Sequence, residues 1–567
     1  MAMRSSITFL AIALFASGCA HYPVNAPLAA VDGRTGYRFE NTAFSTNSDD
    51  LLLMLAFSGG GTRAAALDYG VLEELARTGV GPPSQQHRLL DEVDLISSVS
   101  GGSFTAAYYA LWGDRIFSDF ERQFLKKRVH NALRFRVLAP WNTVRLFSPT
   151  FNRSDLAAEY YDQLLFKGAT FGDLATRPGA PFLIINSTDL TSGSRFEFTQ
   201  DQFDFLKSDL SQFPIARAVA ASSAHPLLLS PVVLKNYSAS PRSGEPEWIG
   251  SALSDPAASS RLRNLALQAR SYLDGDKRRF IHLVDGGVSD NLGLRGSTDS
   301  AVVYAGGSRP SPALQKARRI AVIIVDANTD PDYGWDSTER SPGFWNLLDL
   351  VGGVPISRYS FETIELFRET MARLARETSA VRLTMNGPGE LTIYTVELHF
   401  NQLADDSDRR FFNSVPTRFQ LPSASVDRLC RIAAAELARN EEFQRLIGDL
   451  RNGSNPVNFP TGMKISQSTE AIDLTARRVR CVGGAARLAL DFEFDHLLIA
   501  PGSETNFFDL PGAGEWAVTM KTLTDAALLR NRVLGLLEEA SLRTDPALHR
   551  QALALRVAGG LHSFRHR

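Results

Sequence analysis

The stretch LLLMLAFSGGGTRAAALDYGVLEELARTG, residues 51–79, constrains the fold more than any other. It opens on a continuous apolar run of the length expected of a strand buried on both faces. Three glycines follow. Leu67, Val71, Leu72 and Leu75 then recur at helical spacing, with Gly79 where a helix C-cap belongs. Strand, glycine loop and helix form the repeating unit of parallel sheets, and the alternation continues. VDLISSV (93–99) precedes a helix that runs from Phe104 onward. Further Val/Ile-rich runs lie at 181–188, 227–234, 279–285, 319–327 and 391–400, with helical patterns between most of them, as at 156–165, 213–222 and 357–377. Such a chain is expected to be α/β: a three-layer α/β/α sandwich around a mostly parallel central sheet.

The two ends depart from this pattern. MAMR supplies positive charge, ITFLAIALFA is a ten-residue apolar run, and ASGC follows. That is the order of a secretory signal, and the run is shorter than the ~20 residues of a spanning helix. Cys19 directly after Ala-Ser-Gly resembles a bacterial lipobox. Residues 1–18 are therefore expected to be a lipoprotein signal peptide and Cys19 the lipid-bearing start of the mature chain. The alternative is a plain signal peptide with Cys19 incidental. Ala20, not Asp, follows the Cys, which points to an outer-membrane anchor facing the periplasm. Residues 19–48 read as a tether and 49–450 as the main domain, with an insertion near 236–280 rich in Ser, Pro and Arg. A long amphipathic helix is expected at 424–447. Residues 451–567 read as a C-terminal extension of open role, with helices near 523–541 and 545–558. Cys430 and Cys481 either pair in an oxidising compartment or remain separate thiols.

Three stretches carry candidate chemistry. FSGGGTR (57–63) places glycines between a strand and a helix, where backbone N–H groups and the helix dipole favour negative charge. It lacks the Gly-Lys-Ser/Thr of a P-loop and the G-x-G-x-x-G of a dinucleotide fingerprint. An oxyanion hole or a plain tight turn remains. SSVSGG (97–102) sets Ser100 on a strand-to-helix turn in the manner of a nucleophile elbow, with Ser98 where that motif has its first Gly. LVDGGVSDN (283–291) puts Asp285 at the end of a buried strand, where sites form in open α/β sheets. Asp274 in YLDGDK competes with it, but a lone Asp-Gly among charges is a common turn.

In this order FSGGGTR, SVSGG and VDGG resemble the patatin-like phospholipase family. ARAVAASSAHPLLLSPV (216–232) is similar to that family's A-x-x-A-S-x-A-x-P segment, and VPTRFQLPSASVDRL (415–429) to a stretch late in such domains. The resemblance spans roughly residues 50–450. It implies a Ser–Asp dyad in a serine lipid acyl hydrolase. Ser100 would be the nucleophile, Asp285 the general base, and Gly59, Gly60 and Gly61 the oxyanion hole. Arg63, which matches the family's Arg after the glycines, would orient the loop or face a lipid phosphate. Ser98 for Gly is one departure. Ser58, where Asp or Asn is frequent, is another, and is harmless if that position only closes the loop.

Two rivals stay open. In a Ser–Asp–His hydrolase, His399 would complete a triad in that chain order. A non-catalytic lipid-binding lipoprotein could use the same fold. His225, before Pro226, reads as structural. Net charge is −2, with no basic footprint, so no nucleic-acid partner is expected. No H-E-x-x-H, EF-hand loop or Cys/His cluster occurs, so neither metal nor cofactor is expected. The partners expected are an acyl-ester lipid, such as a phospholipid, and the membrane that holds the anchor. Residues 121–147 interleave seven Arg/Lys with Phe124, Phe135, Trp141 and Phe147. They suit an anionic membrane surface, or an amphipathic segment packed on the core.

Overall fold

A computed structural model describes residues 20–42, 47–82, 86–226, 228–238, 245–305, 316–329, 339, 344–384, 391–452, 467–473, 478–483 and 488–493. The chain divides into two compact units, Met1–Asn458 and Phe459–Arg567.

The first unit is the expected three-layer sandwich. The elements that place the site are, in chain order: β1 (Leu51–Phe57), α1 (Thr62–Arg77), β2 (Val93–Val99), α2 (Gly101–Trp112), α3 (Val129–Leu138), α4 (Pro140–Arg145), α5 (Arg153–Tyr161), β3 (Phe182–Asp189), β4 (Arg195–Glu197), α6 (Ile215–Ser222), β5 (Val232–Lys235), β6 (Phe280–Asp285), β7 (Arg319–Asp326), α7 (Phe344–Thr384), β8 (Thr392–His399), α8 (Ser423–Arg439) and α9 (Glu441–Asn452). Followed through its pairings, the sheet runs β8-β7-β1-β2-β3-β6-β5, with β4 also on β3. From β8 to β3 every pairing is parallel. Leu53, Leu55 and Phe57 of β1 point into a large core beneath α1, α2 and α8, while Met54 and Ala56 join Phe367 and Met371 of α7 on the other face. This two-sided burial is why β1 reads as an unbroken apolar run.

β6 departs from the parallel pattern. It runs antiparallel to β3, as the short β4 does, and its other partner β5 runs antiparallel to β6 in turn. β2 pairs with β3 only as far as Asn186, and β6 takes over from Ser187. The backbone groups of alternate residues in a strand point to opposite edges. Leu190 N–H bonds to His282, whereas Ile185 C=O receives Phe198 N–H after β4, so β4 holds the odd-numbered edge and β6 the even one. A Cβ on Gly286 would lie 2.4 Å from Asn186 O and 3.0 Å from the Val99 side chain. β2 and β6 therefore meet end to end along one edge of β3. Asp285 arrives by a strand descending onto the end of β2, not by a parallel strand ending beside it.

Other expectations change in detail. The strand read at 227–234 is only Val232–Lys235; it begins after Pro231, which has no N–H to give a ladder. The helix read at 424–447 is two helices. The Asn440 backbone turns extended, and its side chain accepts Phe443 N–H at 3.1 Å, capping the second. The pattern at 156–165 is an α-helix to Tyr161 followed by a wider π-type turn, and that at 357–377 lies within the longer Phe344–Thr384. Residues 20–42 are not a free tether. Tyr37 is buried, stacks on Phe182 with ring centroids 4.6 Å apart, and accepts Leu183 N–H at 2.7 Å. Residues 236–280 hold two helices, Glu247–Ser254 and Ser260–Tyr272, with an apolar cluster of their own. Cys430 is a buried free thiol; the Cys481 side chain, Cys19 and the segments at 523–541 and 545–558 lie outside the described residues. Of the second unit, an antiparallel sheet of Gln467–Asp473, Arg478–Gly483 and Leu488–Glu493 is described.

One buried charge stands apart. Asp68, within α1, is fully buried and neither carboxyl oxygen has a hydrogen-bond partner. Burial raises its pKa well above the ordinary carboxylate range. A carboxyl whose folded pKa is raised stabilises most below its unfolded pKa, and that contribution is lost as pH rises through the folded value. Asp68→Asn is neutral at every pH. It is expected to exceed wild type in stability at pH 8 by at least about 1 kcal/mol, with the gap narrowing toward pH 4 when both are melted across that range.

Candidate active site

The glycine loop is tied down at both ends. Ser58 Oγ accepts Ala327 N–H at 2.8 Å, which fastens the end of β1 to the end of β7 and accounts for a small hydroxyl there. Gly59 N–H donates to Asn291 O at 2.9 Å, and Thr62 N–H to Arg418 O at 2.8 Å. Between them Gly61 has φ +63°, and a Cβ there would meet Arg418 O at 2.6 Å. Glycine is required on both counts.

Ser100 occupies the sharp turn between β2 and α2 with φ 48° and ψ −114°, a conformation costly for a non-glycine residue. The turn is braced: Ser100 N–H donates to Ser222 Oγ at 2.8 Å, and Ser222 Oγ donates to Asn186 O at 2.6 Å. A Cβ on Gly101 would lie 2.2 Å from Gly61 O, and one on Gly102 2.8 Å from Phe57 O and Ser58 O. The elbow is thus seated directly on the glycine loop. Ser98 is fully buried and its hydroxyl donates to Ile184 O at 3.1 Å, so the position tolerates Ser by giving that hydroxyl a partner.

Ser100 Oγ donates to Asp285 Oδ2 at 2.8 Å, and Gly287 N–H donates to Asp285 Oδ1 at 2.8 Å. Asp285 is buried. Burial raises its pKa, opposed by the Gly287 N–H, the Ser100 hydroxyl and the charge of His225. A hydroxyl and a carboxylate in direct contact, beside a glycine loop, can move a proton off the hydroxyl without an intervening imidazole.

With that geometry in hand, residues 55–296 match the family model described as patatin-like phospholipase. The chain carries a patatin-like domain. Among solved structures it is similar to the human GIVD cytosolic phospholipase A2, at 16% identity over 48% of this chain and 45% of that one, with a TM-score of 0.29. It is also similar to the same human protein in complex with methyl gamma-linolenyl fluorophosphonate inhibitor and terbium chloride, at 17% identity over 51% of this chain and 43% of that one, with a TM-score of 0.25. TM-scores this low transfer no mechanism. Two curated proteins match locally. One is the external alternative NAD(P)H-ubiquinone oxidoreductase B3, mitochondrial, of Arabidopsis thaliana, 33% identical over 85 residues, 14% of each chain. The other is the probable NADH-ubiquinone oxidoreductase C3A11.07, mitochondrial, of Schizosaccharomyces pombe, 33% identical over 73 residues, 13% of each. The chain thus spans about one-seventh of the length of these curated relatives, too little to bear on what it does.

Within the patatin-like domain the remaining candidates separate. Arg63 is buried; Nε donates to Ala327 O at 2.8 Å, Nη2 to Thr417 Oγ1 at 2.9 Å, and Nη1 to Val415 O. Burial lowers its pKa to about 10, with Asp326 pulling the other way. It fastens the start of α1 to β7 and to residues 415–417, so the lipid-phosphate reading does not hold. Gly59 is likewise not placed as an oxyanion donor, because its N–H is given to Asn291. Asp274 holds a turn, accepting Lys277 N–H at 3.2 Å and pairing with Lys277 Nζ at 3.0 Å. Among the described residues no three His, Cys, Asp or Glu side chains converge as metal ligands would.

His399 is not brought to Ser100. Its Nε2 lies 3.7 Å from Asp326 Oδ2 and its Nδ1 accepts Asn401 N–H at 3.1 Å. β8 stands three strands from β2, about 14 Å at ~4.8 Å per strand. His399→Gln is expected to leave kcat within about threefold of wild type, against the ~10⁴-fold loss that disabling a triad member produces; initial rates on a soluble ester decide it.

Ser222, Asn186 and Asn291 brace the site without having been singled out from the sequence. Ser222 lay in view in ARAVAASSAHP and Asn291 in VDGGVSDN, but a bracing hydroxyl or carbonyl has no spacing rule. His225, read as structural, is half-exposed, with Nδ1 2.8 Å from Pro226 O, and its charge reaches Asp285.

Proposed function

We propose that this protein is a serine lipid acyl hydrolase, a phospholipase A or lysophospholipase-type esterase, working through Ser100 and Asp285. The observation that carries the reading is the 2.8 Å hydrogen bond from Ser100 Oγ to a buried Asp285 carboxylate at a strained turn seated on the glycine loop. The patatin-like family match supports a lipid ester as substrate.

Ser100 Oγ attacks the ester carbonyl as its proton passes to Asp285 Oδ2. The oxyanion that forms is received by the amides of Gly60 and Gly61, which are given to no other acceptor among the described residues. Collapse expels the alcohol, which takes the proton from Asp285, and leaves an acyl group on Ser100. Water, deprotonated by Asp285, then releases the fatty acid and restores Ser100. A carboxylate with a reference pKa near 4 is a weak base for a hydroxyl. Burial of Asp285 raises its basicity, and stabilisation of the oxyanion supplies much of the remainder.

The non-catalytic rival would leave a strained Ser100 with no task. Lipid mass spectrometry on mixed bilayer lipids incubated with wild type and with Ser100→Ala tests the reading. Free fatty acid released by wild type alone supports it; equal release by both, or none, overturns it. The N-terminal reading continues as part of the proposal: a signal peptide, lipidation at Cys19, and placement on the periplasmic face of an outer membrane. Intact mass of the mature chain, showing acylation at Cys19 or its absence, tests that part.

A further inference from the structure

Helices α3 and α4, with the turn that follows them, make a hairpin segment that carries the most exposed large apolar side chains among the described residues. Phe135 is 75% exposed, Phe147 74%, Leu138 73% and Trp141 71%. Phe124, by contrast, is 1% exposed and stacked on Phe104 at 4.4 Å, so it belongs to the core and not to this surface. Lys127, Arg128 and Arg134 on the same segment are exposed. Aromatic and aliphatic tips among cations are the composition of a surface that rests in the headgroup region of an anionic bilayer.

Two contacts give this patch a direction. The N-terminal strap is fastened to it: Ser148 Oγ donates to Ala20 O at 2.6 Å, Thr150 Oγ1 to the same carbonyl at 3.1 Å, and Tyr22 N–H to Thr150 O at 2.8 Å. The chain leading from Cys19 therefore enters the described structure one residue from Phe147 along the hairpin's end. At the other end His130 N–H donates to Phe419 O at 3.3 Å, and the neighbouring Arg418 O holds Thr62 N–H of the glycine loop. Phe419 also lies edge-on to Phe104 at 5.6 Å, four residues beyond Ser100. Anchor attachment, apolar patch and glycine loop are thus linked one to the next by direct contacts.

We propose that residues 129–147 are an interfacial hairpin that lies in an anionic lipid bilayer, the one that holds the N-terminal anchor, and brings the mouth of the Ser100 site onto lipid that stays in that bilayer. The inference deepens the acyl-hydrolase reading and rests on it only for the identity of the substrate; the contact with the bilayer stands without it.

The test uses the full acylated chain reconstituted into phosphatidylcholine–phosphatidylglycerol vesicles whose acyl chains carry bromine. Trp141 emission, taken as the difference between wild type and Trp141→Phe, is expected to shift to the blue and to be quenched about twofold or more on the brominated lipid. A Trp141 difference signal indifferent to bromine overturns the proposal, as does one that follows protein concentration rather than lipid, which assigns the patch to a second copy of the chain. A variant with Phe135, Leu138, Trp141 and Phe147 all changed to Ser removes only exposed side chains. It is expected to hydrolyse vesicle lipid at least about tenfold more slowly while turning over a short soluble ester at the wild-type rate. Equal loss on both substrates overturns the interfacial role. If neither protein hydrolyses anything, the acyl-hydrolase reading fails while the quenching result still decides the membrane contact.

Discussion

Replacing Asp285 with Asn is expected to lower kcat for ester hydrolysis by about 10⁴-fold, the order of loss seen when the carboxylate that supports a serine nucleophile becomes an amide. The geometry explains the size. Asp285 Oδ1 takes the Gly287 N–H, which leaves Oδ2 to accept from Ser100. An Asn that keeps the Gly287 bond must turn its NH₂ toward Ser100, reversing the hydrogen bond and removing any acceptor for the proton. Wild type and variant should also differ in pH dependence. The base works only when ionised, so wild-type kcat/KM rises with pH, with a midpoint above the ordinary carboxylate range because burial raises the Asp285 pKa. The variant should lack that acid limb. Stability runs the other way. A carboxyl with a raised folded pKa loses its contribution as pH rises through that value, so Asp285→Asn should gain on wild type between acid and neutral pH. A variant that is inactive because it is unfolded would show the opposite trend in its melting.

Gly101→Ala is expected to cost about 10²–10³ in kcat, the loss that follows removal of one oxyanion donor. Its Cβ would lie 2.2 Å from Gly61 O and 2.5 Å from Gly61 N, both backbone atoms held in turn by the Arg418 contact, so the loop and the elbow must move apart. KM for a short ester should change little while kcat falls, because the displaced amides meet the substrate most strongly once charge develops on its oxygen. A rise in KM with kcat unchanged would say that the loop instead shapes ground-state binding.

The layers of the fold could be read from the sequence because buried parallel strands and amphipathic helices write different periods, as β1 and α1 do. The direction of β6 could not. FIHLVD is as apolar as a parallel strand, and its antiparallel course is set by tertiary pairing with β3 beyond Asn186. Ser100 and Asp285 were legible from the small residues around them, since a strained turn and a close backbone approach leave glycine behind. Gly59 and Arg63 show the limit of that signal. Glycine marks where backbone must come near something but not whether its N–H is free, and an Arg after a glycine loop reads alike whether it meets a phosphate or, as here, three backbone and hydroxyl oxygens. The break at Asn440 was hidden because an Asn inside an amphipathic stretch interrupts neither face. Tyr37 looked like part of a polar lead-in, though its ring is a core element.

Covalent capture at the nucleophile tests the central claim most directly. Wild-type protein, Ser100→Ala and Asp285→Asn are each treated with an alkyl fluorophosphonate, digested, and mapped by mass spectrometry. One stoichiometric phosphonyl adduct is expected, on Ser100 of the wild type. None is expected on Ser100→Ala, and labelling of Asp285→Asn should be slowed by orders of magnitude. An adduct on a different residue, with ester turnover intact in Ser100→Ala, would contradict the claim.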